Sequence, residues 1–391
     1  MKNSLTGIMV LDLSRLLPGP FATKILAEMG ATVIKIEPTD GGDYLRWMPP
    51  LVDDSSALFH SLNANKKSIT LNLKSPDGVE ILTRLARDAD VLVEQFRPGV
   101  MDKLGIGYTD LAPLNERLVY LSLSGYGQTG PNRDRAGHDL NYLSLSGILS
   151  LWGTAANGPA MPGVQIADIT GGLMAVIAAL GALFERSTTG KGKFLDVSLA
   201  DSLVNYLPFI LGHVQYSEVK PGFGNLELNG KYACYNIYRT SDGRYMAVAA
   251  LEPKFWITLC TILERPDFIP IQFVEDEAMD KLKADLASIF STKSQKDWAA
   301  LFSDADACVT PVRSVEEFIA DKNTRERYLL GITRAGGKEF LFPALPIISS
   351  ADSTIENQPS PRMGEHTEDL LKSAGFTKDD IIRFKASGIT G

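Results

Sequence analysis

The first third of the chain alternates apolar runs of strand length with segments of helical spacing. Residues 8–13 predict a strand, residues 21–29 a helix that ends at Gly30, and residues 31–36 a second strand. A helix over 76–89 and strands at 91–93 and 118–123 repeat the order. Repeated units of this kind build parallel sheets with right-handed crossovers. We therefore expect an α/β fold with a Rossmann-like parallel sheet.

The pattern changes in the second half of the chain. A strand at 193–199 and a helix over 201–214 still fit the first pattern, whereas Ser241-Asp242-Gly243 between alternating segments predicts a hairpin and Glu252 opens a helix through Leu263. We expect a large α/β domain over 1–224 and a smaller α+β domain over 225–325. The segment 326–391 is expected to return to the large domain.

Charge and composition exclude several classes of function. A formal net charge of −8 disfavours nucleic acid as a partner. No run reaches the ~18 uninterrupted apolar residues of a membrane span, and the N-terminus carries no leader pattern, so we expect a cytoplasmic protein without a membrane partner. The cysteines Cys234, Cys260 and Cys308 form no C-x-x-C pair and are expected to be buried reduced thiols. The four histidines show no metal-ligand spacing, so no metal is expected.

A phosphate-bearing ligand would need a local basic lining in so acidic a chain. The candidates all precede His138, although solvated surface charge explains any one of them equally well. They are Lys66, Lys67, Lys74, Arg97, Lys103, Arg133 and Arg135.

A dinucleotide site is a further hypothesis, because Glu37 follows the second strand where a ribose-binding acid could lie. The turn over residues 14–20 lacks the G-x-G-x-x-G pattern that lets a pyrophosphate approach a helix N-terminus. NAD therefore stays a third hypothesis.

Two groups suited to proton transfer lie thirty positions apart. His138 sits between Gly137 and Asp139 in a loop rich in glycine, asparagine and arginine, and Asp168 stands at the start of a long apolar run. An acid there is a common N-cap, and the helix dipole would lower its pKa and keep it ionised as a base. A histidine and a carboxylate could remove a proton from one face of a carbon and return it to the other. Structural roles remain open for both residues.

Short segments spread over nearly the whole chain carry a family pattern. They are residues 33–38 with Gly42, Asp43 and Arg46; 65–69; 89–94 with 97–100; 125–127 with 130–131; 190–192; and 364–367. In this order they resemble the family III CoA transferases. Gly137-His138-Asp139 with Asn141-Tyr142, and the segment 251–255 containing Glu252, resemble the α-methylacyl-CoA racemase branch.

The resemblance implies that Asp168 and His138 are proton-transfer bases on opposite faces of a 2-methylacyl-CoA, with Glu252 orienting His138. The enolate oxygen needs charge stabilisation, and we expect backbone donors from Asp139 N–H and from the helix start after Asp168. No cofactor is expected, since CoA is part of the substrate. In a transferase, Asp168 would instead be the nucleophile that carries the acyl group. A non-catalytic acyl-CoA-binding protein is the third class.

The resemblance also places CoA along the large domain, and it implies an interlocked homodimer whose active sites form between the large domain of one chain and the small domain of the other. Pro38 departs from relatives that place an arginine there for the adenine. The matching CoA-binding positions are Leu16, Leu17, Pro18, Leu71, Lys74, Gln95, Phe96, Arg97, Lys103 and Arg135.

Overall fold

A computed structural model of the chain describes residues 3–52, 55–154, 156–335, 338–348 and 357–391. The strands in chain order are β1 Met9–Leu13, β2 Thr32–Glu37, β3 Leu51–Val52, β4 Ser55–Ser56, β5 Lys66–Thr70, β6 Val91–Glu94, β7 Val119–Ser124, β8 Gly153–Thr154, β9 Gly158–Pro159, β10 Phe194–Ser198, β11 Tyr235–Arg239, β12 Tyr245–Ala249, β13 Val309–Pro311, β14 Leu330–Ala335 and β15 Lys338–Pro343.

The helices are α1 Pro18–Glu28, α2 Ala57–Asn63, α3 Pro76–Asp88, α4 Val100–Lys103, α5 Tyr108–Leu111, α6 Asp139–Leu145, α7 Ile166–Thr189, α8 Leu199–Ser202, α9 Pro208–Tyr216, α10 Pro253–Ile262, α11 Asp276–Phe290, α12 Gln295–Phe302, α13 Val315–Ala320, α14 Lys322–Glu326, α15 Thr367–Ser373 and α16 Lys378–Ala386. Short 3-10 turns occur at Tyr44–Trp47, Ile148–Leu151, Leu203–Tyr206 and Pro266–Ile271.

The chain forms two compact units. The larger comprises Met1–Ser146, Gly163–Asn205 and Asp321–Gly391, and the smaller comprises Gly147–Pro162 and Tyr206–Ala320. The expected boundaries lay at 224/225 and 325/326, whereas the structure divides the chain at 205/206 and 320/321. Residues 147–162 also belong to the smaller unit, which was not expected.

The larger unit contains the predicted parallel sheet. Its six strands lie in the order β10-β7-β6-β1-β2-β5, and every neighbouring pair is parallel. The α/β prediction is therefore confirmed. The chain proceeds from β1 outward through β2 to β5, and then returns to β6 on the other side of β1. The loops after β1 and β6 consequently diverge at the carboxyl edge, where open α/β sheets bind their ligands.

One face of this sheet packs on helices from both ends of the sequence. Leu11 of β1 and Leu92 of β6 are fully buried against Leu82 of α3 and Phe384 of α16. Side chains as far apart in sequence as Leu11 and Phe384 thus share one apolar core. The burial of each removes water from apolar surface, which is the main stabilising contribution to such a core.

The edge strand β5 was not predicted, because Lys66 and Lys67 interrupt its apolar pattern. Lys66 is nevertheless buried, and its Nζ donates to Asp12 Oδ2 at 3.0 Å and to Thr23 Oγ1 at 2.8 Å. Although burial opposes it, the Lys66 charge holds the pKa of Asp12 well below its ordinary value. The proposal that Lys66 lines a phosphate site is therefore wrong.

Glu37 is also buried, and its carboxylate binds other buried side chains. Its carboxylate accepts hydrogen bonds from Arg46 at 2.7 Å through both oxygens and from Ser68 Oγ at 2.6 Å. Although burial acts in the opposite direction, Arg46, then the charge of Lys35 and the Ser68 hydrogen bond, hold the pKa of Glu37 below its ordinary value. The ribose-binding role that the NAD hypothesis gave to Glu37 is wrong, since the group has no free acceptor facing a crevice.

The smaller unit is built on the antiparallel strands β11, β12 and β13. The predicted hairpin is confirmed, with Gly243 at φ +77° in the turn. The predicted helix after Glu252 is also confirmed as α10, which buries Trp256 in an aromatic core that includes Phe290 and Trp298. The expected continuous helix over 201–214 is instead broken into α8, a 3-10 turn and α9, because Pro208 provides no backbone N–H to continue it.

Two further expectations meet the structure differently. Cys234 and Cys260 are buried free thiols, as predicted, whereas Cys308 is exposed. By length and composition, α7 is the one helix of the described part of the chain that could cross a membrane. A single helix of this kind is weak evidence for a span, because core helices of soluble proteins pass the same test.

Candidate active site

The backbone around His138 is fixed from both sides. His138 is the N-cap residue of α6, and its backbone N–H donates to Asn141 Oδ1 at 3.0 Å. The hydroxyl of Tyr142 donates to the carbonyl of Gly137 at 2.7 Å. The imidazole itself is exposed. Asn141 and Tyr142 of the sequence motif therefore fix the backbone that carries the histidine.

Gly137 is required by close packing. A Cβ at this position would lie 2.7 Å from the Tyr126 hydroxyl and 2.8 Å from Cε1 of Tyr142. The two tyrosine rings meet edge to face with centroids 5.1 Å apart. Only glycine lets the chain pass over this pair and present the next residue to solvent.

The side chain of Asp139 joins this loop to the helix that carries Asp168. Asp139 Oδ1 accepts from Ala167 N at 2.7 Å and from Asp168 N at 3.1 Å. It thereby satisfies two of the N–H groups that a helix leaves free at its start. This single carboxylate therefore ties the residue after His138 to the first turn of the helix that carries Asp168.

These bonds correct two expectations about the start of α7. The helix begins at Ile166, so Asp168 lies inside its first turn and is not the cap. The N–H groups of Ala167 and Asp168 bind Asp139, and that of Ile169 donates to Gln165 O at 3.1 Å. The expected oxyanion donors after Asp168 are therefore occupied. The other expected donor, Asp139 N–H, has no acceptor among the residues that the structure describes.

The charge state of Asp168 also differs from the expectation. Burial, and after it the negative charge of Asp139, raise the pKa of Asp168 from its ordinary 3.8 to about 7. The favourable helix dipole was expected to lower this pKa, but desolvation and a like charge outweigh it. Near neutral pH the carboxyl group is thus present in both its protonated and ionised forms.

Tyr142 responds to the same charges. Burial, followed by the charge of Asp168, raises the pKa of Tyr142 to about 12. The phenol therefore stays protonated at neutral pH and keeps its bond to Gly137.

Glu252 lies in the smaller unit, as the N-cap residue of α10. Its exposed side chain makes no capping hydrogen bond, so the carboxylate is not bound to the start of α10. Its partnership with His138 stays a prediction.

The expected CoA-binding residues lie mainly at the switch point of the sheet, which is the place at its carboxyl edge where the loops after β1 and β6 leave in opposite directions. Gly19 N, at the start of α1, donates to Gln95 Oε1 at 3.2 Å, so the loops after β1 and β6 touch. Leu16, Leu17 and Phe96 are half-buried there, and Pro18 is buried. Leu71 is only 1% exposed within the core, so its side chain cannot contact a ligand. The exposed cations of the expected set, which make no ion pair among the described residues, are Lys74, Arg97, Lys103 and Arg135.

Sequence reasoning missed one residue of this crevice. The guanidinium of Arg15 lies 4.9 Å from the ring centre of Tyr44 and 5.7 Å from that of Phe96. Its position directly before Leu16 was the available signal, but the two rings come from distant parts of the sequence. Among the described residues, no group of three or more potential ligands could hold a metal ion.

Comparison with known proteins agrees with this fold. Residues 5–367 match the family model of CoA-transferase family III. The chain belongs to this family.

Relatives within the family carry two activities. The chain is 36% identical over 389 residues to the alpha-methylacyl-CoA racemase of Homo sapiens, covering 99% of this chain and 97% of that protein. It is 33% identical over 395 residues to the succinyl-CoA:glutarate CoA-transferase of Mus musculus, covering 98% and 90%. A solved CAIB/BAIF family protein from Brucella suis superposes with a TM-score of 0.83 at 30% identity, covering 96% of this chain and 100% of that one.

Proposed function

We propose that this protein is a racemase that inverts C2 of a 2-methylacyl-CoA thioester through an enolate. The observation that carries the proposal is the Asp139 carboxylate, which binds the N–H of Asp168 while its own residue follows His138 in the chain. This link supports a site in which the Asp168 carboxyl group and the His138 imidazole act on one substrate.

The raised pKa of Asp168 suits this chemistry. A racemase that works in both directions needs each group to act once as base and once as acid, which is most efficient when the pKa lies near the working pH. At a pKa of about 7, Asp168 is available in both forms. In one direction Asp168 takes the C2 proton and the imidazolium of His138 delivers its proton to the opposite face; the reverse direction exchanges these roles.

General acid–base catalysis contributes only ~10²–10⁴-fold, so the thioester oxygen also needs stabilisation as the enolate forms. The free N–H of Asp139 is the proposed donor. Glu252 is proposed to orient His138 and to stabilise its imidazolium. We further propose that the reaction uses no redox or metal cofactor and takes place in the cytoplasm.

A homodimer forms part of the proposal. Large apolar side chains are exposed on α7, where Phe184 is 79% exposed, and on α9, where Phe209 is 76% exposed. Exposed apolar surface of this extent is typical of an association surface. Sedimentation at micromolar concentration should give twice the mass of the 42.6 kDa chain, and a monomer would remove this part of the proposal.

The second candidate is a CoA transferase with Asp168 as nucleophile, favoured by transferase relatives at 33% identity over nearly the whole chain. One incubation separates the two. A single enantiomer of 2-methylacyl-CoA in D₂O should gain deuterium at C2 and lose optical purity. Transfer of CoA to an added carboxylate, with C2 unlabelled, would establish the transferase instead. Substitution of His138 or Asp168 by alanine should nearly abolish racemisation while CoA still binds, and full activity in either variant removes that residue from the mechanism.

A further inference from the structure

Arg15 is a half-buried cation whose hydrogen-bonding capacity is unused. Its guanidinium contacts the rings of Tyr44 and Phe96, and among the residues that the structure describes it makes neither a hydrogen bond nor an ion pair. Aromatic contacts restrict the side chain without satisfying its five N–H donors. A guanidinium held in this way is ready to bind an anion, because little freedom remains to be lost on binding.

The backbone that carries Arg15 is held on both sides by buried acids. Ser14 N donates to Asp12 Oδ1 at 3.0 Å, and Leu16 N donates to Asp43 Oδ1 at 3.1 Å. Leu16 adopts φ +63°, a left-handed conformation that a residue with a Cβ rarely takes. Backbone strain of this kind persists only where the surroundings enforce it, and it is concentrated at binding sites.

The surroundings of Arg15 favour a phosphate. The loop lies at the carboxyl edge of the sheet and leads into α1, whose first turn offers no free backbone N–H because Pro18 and Pro20 have none and Gly19 N–H donates to Gln95. An anion beside this loop is therefore bound by side-chain cations. The neighbouring loop after β6 carries the exposed Arg97, and the guanidinium of Arg133 approaches the same loop beside Gly99. The loop after β2 supplies no free cation, since its only one, Arg46, is paired with Glu37.

We propose that Arg15 is a phosphate-binding residue for the nucleotide part of CoA. The inference rests on the proposed CoA-thioester function and adds a residue that was not among the expected contacts. The anion is one of the phosphate groups of CoA, either the 3′-phosphate or the diphosphate. Planar guanidinium groups bind phosphate oxygens through paired hydrogen bonds, and these are stronger than bonds between neutral groups.

Titration calorimetry of the full-length chain tests the proposal with CoA, dephospho-CoA and pantetheine. Arg15→Gln should raise the Kd for CoA roughly tenfold or more, as expected for the loss of a charge-assisted hydrogen bond. Pantetheine, which has no phosphate, should bind both proteins equally. If dephospho-CoA loses affinity as CoA does, the diphosphate is the ligand; if it does not, the 3′-phosphate is.

Arg87→Gln is the matched control, because Arg87 is an exposed arginine of the same unit, in the last turn of α3 before the amino end of β6. Within the described parts of the chain it makes no ion pair. Arg15→Lys retains the charge and should bind with intermediate affinity, which keeps the test valid if the glutamine variant does not fold. A Kd for CoA within twofold of wild type in a folded Arg15→Gln variant would overturn the proposal, as would an equal loss for pantetheine or a wild-type chain that does not bind CoA.

The outcomes for this residue and for the proposed function can be separated, because binding is measured without turnover. A chain that binds CoA through Arg15 but shows neither C2 exchange nor transfer would refute the racemase and keep the role of Arg15. A wild-type chain that racemises its substrate, with an Arg15→Gln variant that binds CoA normally, would keep the proposed function and refute the role of Arg15.

Discussion

The coupling between Asp139 and Asp168 makes a quantitative prediction for the pH dependence of proton abstraction. In a His138→Ala background only Asp168 remains as a base, and C2 exchange with D₂O should proceed from one enantiomer alone. Abstraction requires the ionised carboxylate, so the rate should rise with pH and reach half its maximum near the pKa of about 7. Adding Asp139→Asn removes a like charge and should move this midpoint to lower pH.

The size of the change follows from the two causes of the raised pKa. Burial is the larger cause and the charge of Asp139 the smaller, and together they raise the pKa of Asp168 from 3.8 to about 7. The share of Asp139 is therefore roughly 1.4 kcal/mol. This energy equals about one pKa unit, so the midpoint should fall to about 6 and at pH 6 the ionised fraction should rise about fivefold. The plateau at high pH should be lower, because a weaker base abstracts a carbon-bound proton more slowly.

The variants are chosen to separate charge from structure. Asparagine retains a side-chain oxygen that can accept from Ala167 N and Asp168 N, so the melting temperature should change little. Asp139→Ala loses both the charge and the cap, which should cost about 0.5–2 kcal/mol of stability. Asp134→Asn in the same loop removes an exposed charge and serves as the control. A midpoint that stays within 0.3 pH units (~0.4 kcal/mol) of 7 in a stable Asp139→Asn variant would refute this account of Asp168.

Two further predictions concern other parts of the chain. Glu252→Gln should lower turnover with little change in substrate binding. In a His138→Ala background it should add little further loss, because the effects of groups that act as one unit are not additive. Wild-type turnover in steady-state kinetics, or fully additive losses, would leave Glu252 as a helix-start residue only. Lys66→Met should destabilise the fold by about 3–5 kcal/mol in urea unfolding, because it removes the ion-pair partner of the buried Asp12 carboxylate. Lys67→Met, at the exposed neighbour, should change stability by less than about 0.5 kcal/mol, and equal effects would contradict the buried pairing.

Local pattern was sufficient to predict most regular elements. Strands β1, β2, β6, β7 and β10 lie within one or two residues of their predicted positions, since apolar runs bounded by glycine and polar turns report burial directly. β5 escaped the same reasoning. Its first residue is a lysine whose burial depends on Asp12, more than fifty positions earlier, and no local pattern records such a partner.

The sequence by itself determined the class of fold, the hairpin of the smaller unit, and His138 and Asp168 as the candidate groups, because these depend on residue type and spacing along the chain. Only the tertiary structure decided the environment of Asp168. The pKa of Asp168 depends on desolvation and on the charge of Asp139, which reaches it across 29 positions of sequence. The rings that hold Arg15 come from two separate loops. Electrostatic energy depends on distance in space and on solvent exposure, and a sequence specifies neither until the chain has folded.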